Sequence, residues 1–345
     1  DGMRDGFGGF FVAQGRLLSG VGGPLALRPT VGVTRLCERE FGITDALCRK
    51  VLAEALAKGG DYADLFFEHT IQNWLGLEDG KVNRAYSQVA LGVGIRTVKG
   101  DQVGYGFTQQ LDEKPMLLAA ATAASIADSG AKSPPKQFAA LASGNYYPLD
   151  RLLTEVPLES KVPIVQAIGD KCAARSPLVI KVTAQFHDEQ RRLMVLTSDG
   201  ARTEDLVPRT YLAATVVAEK DGRRERAGWN EGGRRPFSYF TPATVDRIAV
   251  EAVDRALTQF DAVQPPAGEM PVVLGPGITA VLLHEAIGHG MEADFNRKGT
   301  STYATMIGRK VAEPAVTIVD DGTLPHYMGS LNFDDEGTPT QRTLL

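Results

Sequence analysis

Short turn signals constrain this chain more than any other feature. Glu78-Asp79-Gly80-Lys81 carries the signature of a two-residue β-hairpin, and Lys99-Gly100-Asp101 and Ser198-Asp199-Gly200 mark further reversals. The runs they separate are β-prone: residues 61–77, 89–98 and 102–108, then 179–186, 193–197 and 211–218. Helical patterns sit around them. Thr44 is an N-cap candidate ahead of Leu47, Val51, Leu52 and Leu56, with Gly59-Gly60 as the stop. Residues 116–126 form an alanine-rich helix introduced by Asp112, Glu113 and Pro115, and 157–175 and 241–260 have helical character. The expectation is an α+β protein with mixed or antiparallel sheets and flanking helices.

A chain of 345 residues exceeds what one core usually accommodates, so several domains are expected. Residues 1–43 are rich in glycine and without period, and read as a disordered or extraneous extension. An α+β domain follows over 44–128, a Pro- and Gly-containing linker over 129–152, and a second α+β domain over 153–262. Pro265-Pro266-Ala267-Gly268 marks the next boundary, and 263–345 opens a third unit. There Met270–Leu274 reads as a short apolar strand, Gly275-Pro276-Gly277 as a turn, and residues 278–288 as a helix.

Composition narrows the function classes. Hydrophobic residues at 43% and charged residues at 23% describe an ordinary globular protein. A formal net charge of -5 offers no general attraction to nucleic acid or an anionic membrane, and neither is expected as a partner. The arginines at 223, 224, 226, 234 and 235 read as a solvated turn region, with substrate or partner contact as the alternative. Cys37, Cys48 and Cys172 form no dense framework, no apolar run is long enough to span a bilayer, and the N-terminus lacks a signal-peptide core. A cytoplasmic location is expected.

The chemistry concentrates in His284-Glu285-Ala286-Ile287-Gly288-His289. Two imidazoles and a carboxylate are what a catalytic zinc site requires, namely nitrogen ligands and a base for water. The spacing is i, i+5. On a regular helix of roughly 100° per residue, i+5 lands about 140° from the first side chain, too far for one ion to bridge. Widening to an i to i+5 turn would return both rings to one face, and Gly288 and Gly290 supply backbone freedom for it. By itself the pattern also fits a packed or exposed helix terminus, where His289 favours the macrodipole.

Beyond Met270 the run PVVLGPGITAVLLHEAIGHGMEADFNRKGTS, followed by VDDGTLPHYMGSLNFDDEGTP, closely resembles the TldD/PmbA family of metallopeptidases. The resemblance extends back through GDYADLFFEHTIQNWLGLEDGKV, VALGVGIRTVKGDQVGYGF and KDGRRERAG, reaching about residue 60. It implies a zinc metallopeptidase of multi-domain architecture in which His284 and His289 hold Zn2+ and Glu285 is the general base. A cysteine far downstream completes the family's ligand set; it is expected beyond Leu345, which would make the sequence C-terminally truncated. The intact motif resembles the metal-bearing TldD-like member, which implies a heterodimer with a PmbA/TldE-like partner and a peptide or unfolded-protein substrate. A non-catalytic binding or assembly subunit, or an inactive fragment, is the alternative.

The remaining candidates receive plainer readings. Glu292 and Asp294 are read first as solvating the helix end, with metal ligation or orientation of a ligand histidine as alternatives. His326 is read as a loop histidine, His69 and His187 as strand residues without catalytic roles, and the three cysteines as thiols outside the metal site. The backbone near Asp320-Asp321-Gly322 and Gly329 is a candidate edge for an extended peptide.

Overall fold

A computed structural model describes residues 41–126 and 134–345. The expectations for the N-terminal extension up to residue 40, including Cys37, and for 127–133 of the linker lie outside the described residues. The first helix, α1 (Asp45–Ala55), starts at Thr44, whose extended backbone lets its Oγ1 accept the Leu47 amide at 3.2 Å. One face of α1 buries Cys48, Val51, Leu52 and Ala55.

β1 (Tyr62–Glu78) and β2 (Lys81–Lys99) form a long hairpin. Asp79 and Gly80 both take positive φ, 48° and 76°, as a two-residue turn requires to match strand twist. β2 begins eight residues before the Val89 start suggested by composition. Its exposed first half, Lys81–Gln88, is held extended by pairing with β1. β3 (Gln102–Thr108) and α2 (Glu113–Ala124) complete this part, and a two-residue strand, β4 (Ala139–Ala140), follows.

α3 (Leu158–Arg175) leads into β5 (Val179–Thr197), which joins the two short strands expected there. β6 (Ala201–Lys220) and β7 (Arg223–Gly233) form the next hairpin, and α4 (Pro242–Thr258) closes the run. β7 corrects the solvated-turn reading of the arginines. Pairing with β6 makes a strand on which Arg223, Arg224 and Arg226 are exposed, whereas Arg234, just past its end, is buried.

The strands run β3-β2-β1-β5-β6, with β7 pairing one half of β6 and β4 lying parallel to its start; all other pairs are antiparallel. Both α+β segments therefore share one sheet, joined where β1 pairs β5. Alternation places Leu65, Phe67, Leu75 and Leu77 of β1 on the helix-covered face. Two apolar clusters form there, one under α1 and α2, the other under α3 and α4. Between them Lys161 meets Asp188 at 2.6 Å with both side chains buried, and Asn73 donates to the same carboxylate at 2.8 Å.

The opposite face carries the end of the chain. Leu331 packs against Tyr147, Leu193 and Val207, and β8 (Val319–Asp321) pairs with β9 (Arg342–Leu344). Tyr147 donates its hydroxyl to Asp205, while Asn332 donates its amide to Tyr147 Oη at 2.9 Å and its side-chain amide to Asp205 at 3.0 Å. Burial raises the Asp205 carboxyl above its ordinary range. Arg234 donates to the Ser330 carbonyl at 2.7 Å and lies over the Tyr147 ring. Tyr147, inside the expected linker, is thus a buried anchor.

The Met270–Leu274 strand is absent. This segment has no ladder partner among the described residues, Val273 is 96% exposed, and the backbone runs irregularly until Gly277. Among the described residues no helix is long and apolar enough to cross a membrane.

The Lys161–Asp188 pair yields a stability prediction. Lys161→Met strands a buried carboxylate and should lower unfolding free energy by about 3–5 kcal/mol in urea titrations. Lys161→Met with Asp188→Leu should recover most of that loss.

Candidate metal centre

Past Gly277 the chain enters α5 (Ala280–Leu283), continues into a π turn over His284–Gly288 and leaves through α6 (His289–Met291). The His289 amide donates to the His284 carbonyl, closing an i to i+5 ring in place of the usual i to i+4. The additional residue in that turn removes the angular mismatch of the sequence spacing. The two imidazoles come together with centroids 4.5 Å apart at 71°. His289 Nε2 lies 3.7 Å from the Glu285 carboxylate, and one ligand atom from each of His284, Glu285 and His289 falls within 4.8 Å of the others. The side chains of His289 and Glu285 are 53% and 61% exposed, so the group opens to solvent.

The segment that follows holds this turn. Tyr303 donates its hydroxyl to the Ala286 carbonyl at 3.2 Å, and the Gly290 carbonyl accepts from Ser301 Oγ at 2.6 Å and Asn296 Nδ2 at 2.8 Å. These donors satisfy carbonyls near the end of a helix. Gly290 has a steric role, because a Cβ there would lie 2.5 Å from the Tyr303 ring. Nothing local in the sequence marks Asn296, Ser301 or Tyr303 as supports, since they reach the turn only after the backbone reverses.

At Glu292 the backbone leaves helical geometry, with φ −59° and ψ 133°, before α7 (Ala293–Arg297). Its carboxylate lies 2.6 Å from His289 Nδ1, so the solvating reading of Glu292 is corrected to a direct contact with the imidazole. Asp294 faces Lys298 at 3.7 Å instead.

Other candidates fall elsewhere. His326 sits in a loop with φ 63°, its ring nitrogen 3.1 Å from the Arg234 carbonyl. His69 and His187 lie on β1 and β5; His187 packs against Trp74, and burial lowers its pKa. Cys48 and Cys172 are buried in the two helix-side clusters, where desolvation pushes the Cys172 thiol up to about 11. Gly322 does not offer a peptide its backbone edge, because its amide reaches the Gln341 carbonyl and its own carbonyl accepts from Leu331.

Fold and cluster together define an α+β protein whose third segment gathers a donor set able to hold a metal ion. Three models of one family match in order: PmbA/TldA metallopeptidase domain 1 over residues 63–127, the central domain over 151–260, and the C-terminal domain over 267–345. The protein belongs to this PmbA/TldD metallopeptidase family. It is 36% identical over 292 residues to a metalloprotease TldD homolog of Haemophilus influenzae, covering 83% of this chain and 61% of the relative. A metalloprotease TldD homolog of Buchnera aphidicola is 34% identical, with 83% and 60% covered. The sequence thus spans about three fifths of the length of these relatives.

Solved structures share the fold. A Thermotoga maritima protein, provisionally described as a modulator of a DNA gyrase, superposes with a TM-score of 0.70 at 20% identity, covering 87% of this chain and 68% of that one. TldE from Thermococcus kodakarensis gives 0.63 at 19% identity, with 86% and 67% covered.

Gly290→Ala tests how the turn is held. The added methyl displaces Tyr303, and the resulting strain of about 1–3 kcal/mol should speed hydrogen exchange at the His289 amide by on the order of tenfold or more. Tyr303→Phe should show a smaller change in the same direction.

Proposed function

We propose that this protein is the metal-bearing, TldD-like subunit of a zinc metallopeptidase, with His284 and His289 as zinc ligands and Glu285 as general base. The observation that carries this reading is the π turn, which brings two imidazole nitrogens and a carboxylate within 4.8 Å. The donor set fits zinc, which takes imidazole nitrogen and carboxylate oxygen in catalytic sites. The relatives' naming as metalloproteases points the same way. A cysteine completes the ligand set that the family resemblance implies, and the burial of Cys48 and Cys172 in the helix-side clusters keeps them from that role.

When bound, the ion supplies Lewis acidity that activates water and polarises a carbonyl. His284 and His289 orient their nitrogens to one side of the turn. Glu285, adjacent in the cluster, accepts the proton of the attacking water and delivers it to the departing amine. The proposed substrates are short or unfolded peptides, because the cluster is open and Ile278, Val281 and Leu282 beside it in sequence are exposed. A TldE-like partner subunit and a cytoplasmic location complete the proposal; the fold shared with TldE supports the partnership.

Metal analysis and peptide-cleavage assays on the purified protein, alone and with its TldE-like partner, test this reading. Glu285→Gln should retain zinc while cleavage falls about 10²–10⁴-fold, and His284→Ala or His289→Ala should lose the metal. Zinc-free wild-type protein, or cleavage by Glu285→Gln at the wild-type rate, would refute it and favour a non-catalytic assembly subunit.

A further inference from the structure

We infer that Glu292 is a positioning residue that fixes the tautomer and ring orientation of His289, and thereby sets the metal affinity of the cluster. The inference rests on the reading of His289 as a ligand, and it assigns a role outside the three convergent groups.

The geometry is specific. His289 turns its two nitrogens to different carboxylates: Nδ1 lies 2.6 Å from Glu292 Oε1, and Nε2 lies 3.7 Å from Glu285 Oε2. A carboxylate oxygen accepts, and the 2.6 Å contact gives Nδ1 the donor's place in that hydrogen bond. In the neutral tautomer with its N–H on Nδ1, the Nε2 lone pair faces the Glu285 side of the cluster. A ligand histidine needs that same arrangement.

The backbone around this carboxylate is held by hydrogen bonds. Glu292 leaves helical geometry three residues after His289, and Asn296 holds the junction from two sides. The Asn296 amide donates to the Glu292 carbonyl at 3.2 Å, and its side-chain Nδ2 reaches the Glu292 and Gly290 carbonyls at 2.9 and 2.8 Å. The Glu292 amide still reaches the His289 carbonyl at 3.4 Å, and the i, i+3 spacing of this turn sets the carboxylate beside the imidazole. Asp294, two residues on, faces Lys298 and takes no part.

The test uses protein with ¹⁵N-labelled histidine and two variants, Glu292→Ala and Glu292→Gln. In metal-free wild-type protein, long-range proton–nitrogen spectra should show His289 with its proton on Nδ1; Glu292→Ala should distribute it over both nitrogens. Zinc affinity, read by competition with a chromogenic chelator, should fall about 10- to 100-fold in Glu292→Ala. Glu292→Gln, whose amide oxygen still accepts from Nδ1, should recover part of that loss. An unchanged circular-dichroism melt in both variants separates positioning from unfolding. The inference is overturned if wild-type His289 carries its proton on Nε2, or if Glu292→Ala binds zinc within twofold of wild type. Wild-type protein that takes up no zinc would end the metallopeptidase reading and overturn the affinity role of Glu292, while the tautomer spectra would still decide whether Glu292 orients the His289 ring.

Discussion

The hydrogen bond from the His289 amide to the His284 carbonyl is the contact on which the grouping of His284, Glu285 and His289 depends. With the usual i to i+4 bond, the second imidazole would point well around the helix from the first. The wider turn costs regular helical geometry and leaves neighbouring carbonyls to find other partners. Those partners are Tyr303, Ser301 and Asn296, all supplied by the segment after the reversal. The cluster is thus a property of some twenty consecutive residues and not of six.

The sheet provides the larger frame. Its helix face is filled by two apolar clusters with a buried ion pair between them, and its other face is tied to the end of the chain by Tyr147, Asp205, Asn332 and Arg234. The turn-bearing segment lies between α4 and that anchored end in sequence order. The His289 and Glu285 side chains stay largely exposed there.

What was legible in the sequence divides along physical lines. Asp79-Gly80 and Thr44 act through local backbone geometry, so the hairpin and the first helix start could be read directly. The phase of His284 and His289 called for a widened turn only if both were to hold one ion, with an ordinary helix terminus as the alternative, and the widened turn is what forms. Lys81–Gln88 and β7 were not legible as strands, because pairing with β1 and β6, not composition, holds them extended. Met270–Leu274 failed in the opposite sense: an apolar run becomes a strand only where a ladder partner exists. Glu292 read as ordinary helix-end charge, since its i, i+3 spacing from His289 permits the contact but does not distinguish it from a solvated carboxylate.

In the proposed site the π turn gives one ion two imidazole ligands. Anomalous scattering at the zinc edge from crystals grown with zinc tests it most directly. One zinc peak is expected, with Nε2 of His289 and a nitrogen of His284 each at about 2.0–2.1 Å. A regular i to i+4 helix through His284–His289, with the two rings apart and no zinc peak between them, would contradict it.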